Sequence, residues 1–367
     1  LDNFLFRLVR ENPPASFISS VRILDERRES PSAPLCFEIL ESRKETRQTA
    51  LIPADLAVCA NCLAEMKDPA DRRYRYPFIN CTDCGPRYSI IRELPYDRPM
   101  TTMGSFTMCP ECGREYTDPS HRRFHAEPNA CPVCGPEVWL TDATGVEKAR
   151  GDSAVRLCST LLDEGKILAI KGIGGFHIAC TPFREETVAL LRQRKRRLHK
   201  PFALMASSLA EAEKLVYVPE VAKKLMTSPA SPIVLCCVRK NQSTAEKGSV
   251  SPLVAPGQRT LGIMLPYTPL HHLLLDGKRA LIMTSANFSD APIVSDNETA
   301  LASLSSIADF FLLSNRDIQM PVDDSVAMPL GRSFFLMRRG RGYTPLPMPF
   351  FRHDDNVVFG AGAEMKG

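Results

Sequence analysis

The sequence predicts a multidomain chain of mixed α+β and α/β class, and three observations carry that reading. Eight of the thirteen cysteines form a duplicated knuckle array in the first third of the chain. Strand-like and helix-like patterns alternate over residues 150–345, as expected of a sheet covered by helices. A shorter helix-and-strand pattern fills residues 1–48. With 367 residues the chain is long enough for two or three domains.

The cysteine array occupies the region 53–140. Its first copy is Cys59-x2-Cys62-x18-Cys81-x2-Cys84, and its second, fifty residues on, is Cys109-x2-Cys112-x18-Cys131-x2-Cys134. A two-residue spacer places two sulfurs on one tight knuckle, and two knuckles together close a tetrahedral four-thiolate site. Four thiolates leave no open position, so two structural Zn²⁺ ions are expected rather than catalytic ones. Disulfides would require an oxidising compartment. No signal-peptide pattern or apolar span of about 20 residues is visible, so reduced thiols, a cytoplasmic address and no membrane partner are expected. The spacing leaves the pairing of knuckles open between a sequential and an interleaved arrangement.

The repeat extends beyond cysteine. Glu65, Asp68-Pro69 and Arg72-Arg73 follow Cys62 as Glu115, Asp118-Pro119 and Arg122-Arg123 follow Cys112. One supersecondary unit is therefore used twice. Gly85, Gly113 and Gly135 follow three of the knuckles, where a positive φ would aim backbone N–H groups at sulfur. Cys36, Cys158, Cys180, Cys236 and Cys237 lie in apolar contexts and read as buried small hydrophobes.

Before the array, Leu5, Leu8 and Val9 form a short helical stripe, and residues 17–23 and 35–39 read as strands. The chain begins at Leu1, and residues 357–363 form an apolar run entering a small-residue turn. Both ends look cut, so the expectation is a piece of a longer polypeptide, with 356–367 opening a further domain.

After the array, Asp142–Gly145 reads as a turn, and Ala154, Cys158, Leu161 and Leu162 make a helical stripe ending at Gly165. A strand at 166–171 leads into Gly172-Ile173-Gly174-Gly175, and a helix follows over 185–194. Ser208-x-x-Glu211 and Ser295-x-x-Glu298 read as helix caps. Strands are expected at 202–205, 232–238, 280–283, 310–313 and 334–337, with a short helix at 270–275 and a polar loop at 239–259.

Composition excludes little. Apolar content is 44% and the net charge is only +4, which makes no global electrostatic case for nucleic acid. The local charge is more informative. Arg192, Arg194, Lys195, Arg196, Arg197 and Lys200 crowd nine residues before Pro201. A solvated helix end is the plain reading, but the helix-to-strand corner also suits phosphate. Lys171 with Gly174-Gly175 follows a strand, where backbone can approach an anion. Thr284-Ser285-Ala286-Asn287 leaves another strand end, a place that meets ligands in α/β folds or simply forms a cap. Arg338-Arg339-Gly340-Arg341 is a second cationic cluster, and Asp323-Asp324 is read either as a metal site or as its ion-pair partner. His177 is taken as a lining residue.

Taken together, Lys195-x-Arg197, Lys200-Pro201 and Ser285-x-Asn287 resemble the nucleotide site of the YrdC/Sua5 family. With the tandem cysteine array in front of them, the chain resembles the HypF family. The resemblance implies the end of an acylphosphatase-like α/β domain at 1–48, a pair of four-cysteine zinc fingers at 53–140 and a YrdC-like domain at 150–345 with a twisted mixed sheet. It also implies the start of a Kae1-like domain at 356–367. HypF proteins are carbamoyltransferases of [NiFe]-hydrogenase maturation. They convert carbamoyl phosphate and ATP, with Mg²⁺, to carbamoyl adenylate and pass the carbamoyl group to the C-terminal cysteine of a HypE-type acceptor. By resemblance Lys195 and Arg197 act on phosphate and carbamate oxygens. Lys171, Gly174, Gly175, His177, Lys200, Thr284, Ser285 and Asn287 shape the nucleotide cleft, closed by Arg338 or Arg341. The middle, adenylating step is what this stretch is expected to carry.

Two rivals stand beside this reading. A threonylcarbamoyl-adenylate synthase would use the same domain for tRNA modification. A zinc-ribbon nucleic-acid or scaffold module would draw on Arg72-Arg73 and Arg122-Arg123. No specific nucleic-acid partner is expected, although YrdC-type domains carry a double-stranded-RNA-binding description.

Overall fold

A computed structural model of the protein describes residues 2–11, 18, 21, 51–239, 249–287 and 292–347. The strands expected at 17–23 and 35–39, Cys36, and the run at 357–363 fall wholly or almost wholly outside them. Helix α1 (Asp2–Arg10) is followed, after position 51, by the two finger helices α2 (Ala60–Lys67) and α3 (Pro110–Thr117). Each finger helix starts directly after the first cysteine of a knuckle, so Cys59 and Cys109 are the N-cap residues.

The remainder is a sheet with helices on both faces. In chain order its elements are β1 (Val138–Asp142), β2 (Glu147–Arg150), α4 (Asp152–Asp163), β3 (Leu168–Lys171), β4 (Phe176–Cys180) and α5 (Glu185–Arg194). They continue through β5 (Leu204–Ala206), α6 (Leu209–Leu215), α7 (Glu220–Met226), β6 (Ile233–Cys237) and β7 (Thr260–Met264). The last are α8 (Pro269–Leu274), β8 (Ala280–Ser285), α9 (Asn297–Leu304), β9 (Phe310–Ser314), β10 (Val326–Leu330) and β11 (Ser333–Arg338). Among the described residues, eleven strands join one sheet in the order β11-β10-β6-β7-β5-β8-β4-β3-β9-β1-β2. Parallel pairs (β3/β9, β5/β7, β6/β10) occur among antiparallel ones, so the sheet is mixed, as expected.

Two apolar cores lie on its faces. On one, α5, α6, α7 and α9 bury Val188, Leu191, Leu215, Leu225 and Leu304. On the other, α4 and α8 pack with Met66, Tyr76, Phe78, Ile79 and Met103 of the finger region in a single cluster. The fingers are thus built onto the sheet. Val58 N donates to Tyr267 O at 3.0 Å, Arg75 Nε meets Asp152 Oδ1 at 2.7 Å and Gln319 N donates to Ser89 O at 2.8 Å.

Several expectations need correction. The last cap lies one residue late: Asp296, not Ser295, is the N-cap of α9 and accepts from Thr299 N, since a carboxylate at that position reaches the free amide. Ser208 does cap α6 as read, accepting from Glu211 N. The glycine turn is followed by β4 before α5, because Gly172 N closes onto Gly175 O at 2.8 Å and folds the chain back as a hairpin. Of the knuckle glycines, Gly85 has a positive φ of 94°. Gly113 is inside α3, and Gly135 is required by space, because a Cβ there would overlap Tyr76 Oη and Ala130 Cβ. Cys158, Cys180 and Cys236 are buried, but Cys237 is exposed because it ends β6 on the solvent side.

Candidate functional site

The eight array cysteines form two groups in sequential pairing, Cys59/Cys62/Cys81/Cys84 and Cys109/Cys112/Cys131/Cys134. Sulfurs are 3.7 Å apart for Cys59–Cys81, 3.8 Å for Cys81–Cys84 and 3.6 Å for Cys62–Cys84, and the second group repeats these separations. A tetrahedron with Zn–S of about 2.3 Å has S–S edges of about 3.8 Å. The donor set therefore fits one tetrahedral ion per finger. Of the arginines that could have served nucleic acid, the second of each pair is turned inward, while Arg122 is half-buried and Arg72 exposed. Arg73 and Arg123 are each 2% exposed, and both arginine pairs bind glutamates of the opposite finger.

The second feature is a cleft of about 570 Å³ at the strand ends of β8, β5, β7, β6 and β10. Its lining brings together Lys195, Arg197, Lys200, Thr284, Ser285, Asn287 and Arg338, drawn from three separate stretches of the chain. Lys195 is the residue on which α5 ends, and the left-handed turn at Arg196 (φ 49°) swings Arg197 toward β8. Lys195 Nζ donates to Ser285 O at 2.9 Å and Asn287 O at 2.8 Å. Arg197 Nη1 donates to Thr284 Oγ1 at 3.0 Å, and its Nε donates to Lys200 O at 3.0 Å. Its guanidinium, like that of Arg192, stacks over Phe202, at 4.8 and 4.7 Å from the ring centre. Ser285 Oγ donates to Asn287 Oδ1 at 3.0 Å.

Cations outnumber anions at the cleft mouth. Burial first, then the neighbouring Arg192 and Arg338, lower the Arg197 pKa to about 10. A site that strains its own cations in this way favours an anionic ligand. On the cleft wall, Asp324 Oδ1 accepts from Arg341 Nε at 2.8 Å and Oδ2 meets His177 Nε2 at 3.0 Å. Burial opposes the charge on Asp324, but Arg341 and the His177 hydrogen bond override it and hold the carboxyl well below the usual range. The acidic pair thus resolves as an ion-pair partner at Asp324. Arg341 stacks 3.4 Å over Tyr267 in the interior, while Arg338 lines the cleft with its Nε donating to Asp324 O at 2.8 Å.

Other expected residues sit beside the cleft rather than on it. His177 lies on β4 directly across from Ser285, buried behind Asp324. Lys171 donates to Ser314 O at 3.1 Å, and burial, against the pull of Asp317, lowers its pKa to about 8. Gly174 packs on Val322 and Gly175 on Ile293, so both serve close packing. Sequence reasoning missed Gln258, Thr260 and Gly262 in the lining. Polar and glycine residues on and beside β7 carry no motif, so no local signal marks them.

Comparison with known proteins agrees with both features. The Sua5/YciO/YrdC family model, described as telomere recombination, matches residues 160–340, and the HypF finger model matches 58–91 and 108–141. The chain is 43% identical over 365 residues to carbamoyltransferase HypF of Synechocystis, covering 99% of this chain and 46% of that one. It is 44% identical over 378 residues to carbamoyltransferase HypF of Rhodobacter capsulatus, covering 100% of this chain and 48% of that one. The crystal structure of full-length HypF in the phosphate- and nucleotide-bound form superposes with a TM-score of 0.83 at 43% identity, over 94% of this chain and 44% of that one. That of T. kodakarensis HypF also gives 0.83, at 41% identity over 95% of this chain and 43% of that one. The chain spans about half the length of the curated relatives it matches. Together, the paired fingers, the cleft-bearing mixed sheet and this likeness along the whole chain show that it belongs to the HypF family.

Proposed function

We propose that this chain carries the adenylating step of a HypF-type carbamoyltransferase, in which a carbamate oxygen attacks the α-phosphorus of ATP. The bond from that phosphorus to the pyrophosphate oxygen breaks, giving carbamoyl adenylate and pyrophosphate. In the proposed whole reaction carbamoyl phosphate supplies the carbamate, and the carbamoyl group passes to the C-terminal cysteine of a HypE-type acceptor in the cytoplasm. The observation that carries the reading is the convergence of Lys195, Arg197, Ser285, Asn287 and Arg338 on one cleft. The nucleotide-bound form of a full-length HypF, similar to this chain over 94% of its length, supports it.

The residues divide the work by geometry. Arg197 and Arg338 supply fixed positive charge where two anions must approach each other, which lowers the barrier to attack. Lys195 holds the backbone of the Ser285–Asn287 loop, so the Ser285 hydroxyl and Asn287 amide are set in place for phosphate or ribose oxygens. Mg²⁺, arriving with the triphosphate, supplies further charge neutralisation when bound.

The experiment is pyrophosphate release from ATP and Mg²⁺ by the zinc-loaded chain, with ammonium and bicarbonate as the source of carbamate. Release that requires ammonium and ignores threonine is expected. Release that requires threonine and bicarbonate moves the protein to the tRNA-modification class, and no release in either arm overturns the adenylating assignment for this chain.

A further inference from the structure

Each finger is completed by side chains of the other. Arg72 belongs to the loop of the first finger, yet its Nη2 lies 3.3 Å from Cys112 Sγ and 2.7 Å from Glu115 Oε1. Arg73 binds Glu115 too, and its Nε donates to Ala130 O at 2.8 Å. In return, Arg122 Nη1 lies 3.2 Å from Cys62 Sγ, and its Nε donates to Glu65 Oε1 at 3.0 Å. Arg123 binds Glu65 and donates from Nε to Asn80 O at 3.0 Å. Cys62, Glu65 and Asn80 become Cys112, Glu115 and Ala130 when shifted by the fifty-residue repeat, so the exchange is symmetric.

A guanidinium gains more from a thiolate, free or metal-bound, than from a neutral thiol. A zinc ion with four thiolates carries a net charge of two negatives, whereas an empty site with protonated thiols carries none. Loading the second finger therefore tightens the hold on Arg72. That residue lies in the segment joining Cys62 to Cys81, which sets the spacing of the two knuckles of the first finger. Loading the first finger acts through Arg122 on the segment joining Cys112 to Cys131. We propose that the two metal sites load as a coupled pair, each ion raising the affinity of the other site through the exchanged arginines. The coupling is equal in both directions by linkage, and it rests on the reading of both cysteine groups as tetrathiolate metal sites.

The test uses the reduced, metal-free chain titrated with Co²⁺ in a chelator-buffered series. Native mass spectrometry counts molecules with no, one or two ions, and thiolate-to-cobalt absorption reports the coordination. At half-loading, equal uncoupled sites put about half of the molecules in the one-ion state, and a tenfold coupling lowers this to about one quarter. Unequal sites raise that fraction, so a deficit marks coupling. Replacing Arg72→Lys together with Arg122→Lys keeps the charge but loses the planar fork, and the one-ion fraction should return to half or above. A fraction of half or more in the unsubstituted chain, or a deficit that persists in the double variant, overturns the proposal. Absence of tetrathiolate cobalt absorption would overturn the metal reading itself.

Discussion

Lys195→Ala separates two roles that one lysine combines. The side chain is buried, with Lys195 4% exposed, and its ammonium donates to the carbonyls of Ser285 and Asn287 at 2.9 and 2.8 Å. A hydrogen bond from a charged donor contributes about 1.5–3 kcal/mol net. Two of them bound the loss at about 3–6 kcal/mol, and water entering from the adjoining cleft replaces part of it, leaving about 3 kcal/mol. This is a fraction of the roughly 5–15 kcal/mol by which domains are stable, so the fold survives. In a sheet domain of this size such a loss lowers Tm by roughly 6–12 °C. The loosened Ser285–Asn287 loop also weakens ATP binding, by about tenfold for each 1.4 kcal/mol of binding free energy removed. Thermal unfolding and calorimetric ATP titration read the two effects separately. Lys200→Ala, at an exposed residue of the same cleft, is the control and should stay within about 0.5 kcal/mol in stability. An unchanged Tm in Lys195→Ala would show that its ammonium does not hold the loop.

Further expectations follow from other sites. Arg197→Lys keeps a charge but loses the fork that reaches Thr284, Lys200 and Pro201 together, so ATP affinity should fall about tenfold in a calorimetric titration. Burial raises the Glu127 carboxyl to about 7, so between about pH 4.5 and 7 the folded chain binds more protons than the unfolded chain and stability falls as pH rises. Glu127→Gln should remove that fall and gain up to about 3 kcal/mol at pH 8 relative to pH 5, measured by denaturant unfolding. A parallel pH dependence in wild type and variant would contradict this. Gly135→Ala drives a Cβ into Tyr76 Oη and Ala130 Cβ and should cost about 1–3 kcal/mol. Gly113→Ala, in α3 with nothing within 4 Å, should instead stabilise by about 0.5–1 kcal/mol. Equal Tm shifts in the two glycine variants would show that space does not demand glycine at position 135.

Much of this protein was legible in the chain alone because its signals are local. A two-residue cysteine spacer is a statement about one turn of backbone, so all eight candidate ligands could be named without coordinates. The helix at 185–194 was legible from its pattern and the cations of its last turn, but it ends through the left-handed Arg196 rather than at Pro201. The short motif around Lys195 and Arg197 and that around Ser285 and Asn287 were likewise readable as separate pieces. Local reading failed where neighbouring elements choose the answer. β7 and β10 are short strands whose pairing partners include segments far along the chain, and Cys237 is exposed only because of where β6 ends.

Charge, thiol chemistry and spacing belong to a residue and its nearest neighbours, so the unfolded chain already specifies which residues can bind metal and which can bind an anion. The partnerships arise only when the fold closes. Closure paired the knuckles sequentially, exchanged Arg72 and Arg122 between the fingers, and put Arg338 in the cleft while burying Arg341 on Asp324. These choices are made between residues distant in sequence. They are settled by packing and by the cost of leaving a buried charge unpaired, quantities that exist only once the chain has closed on itself.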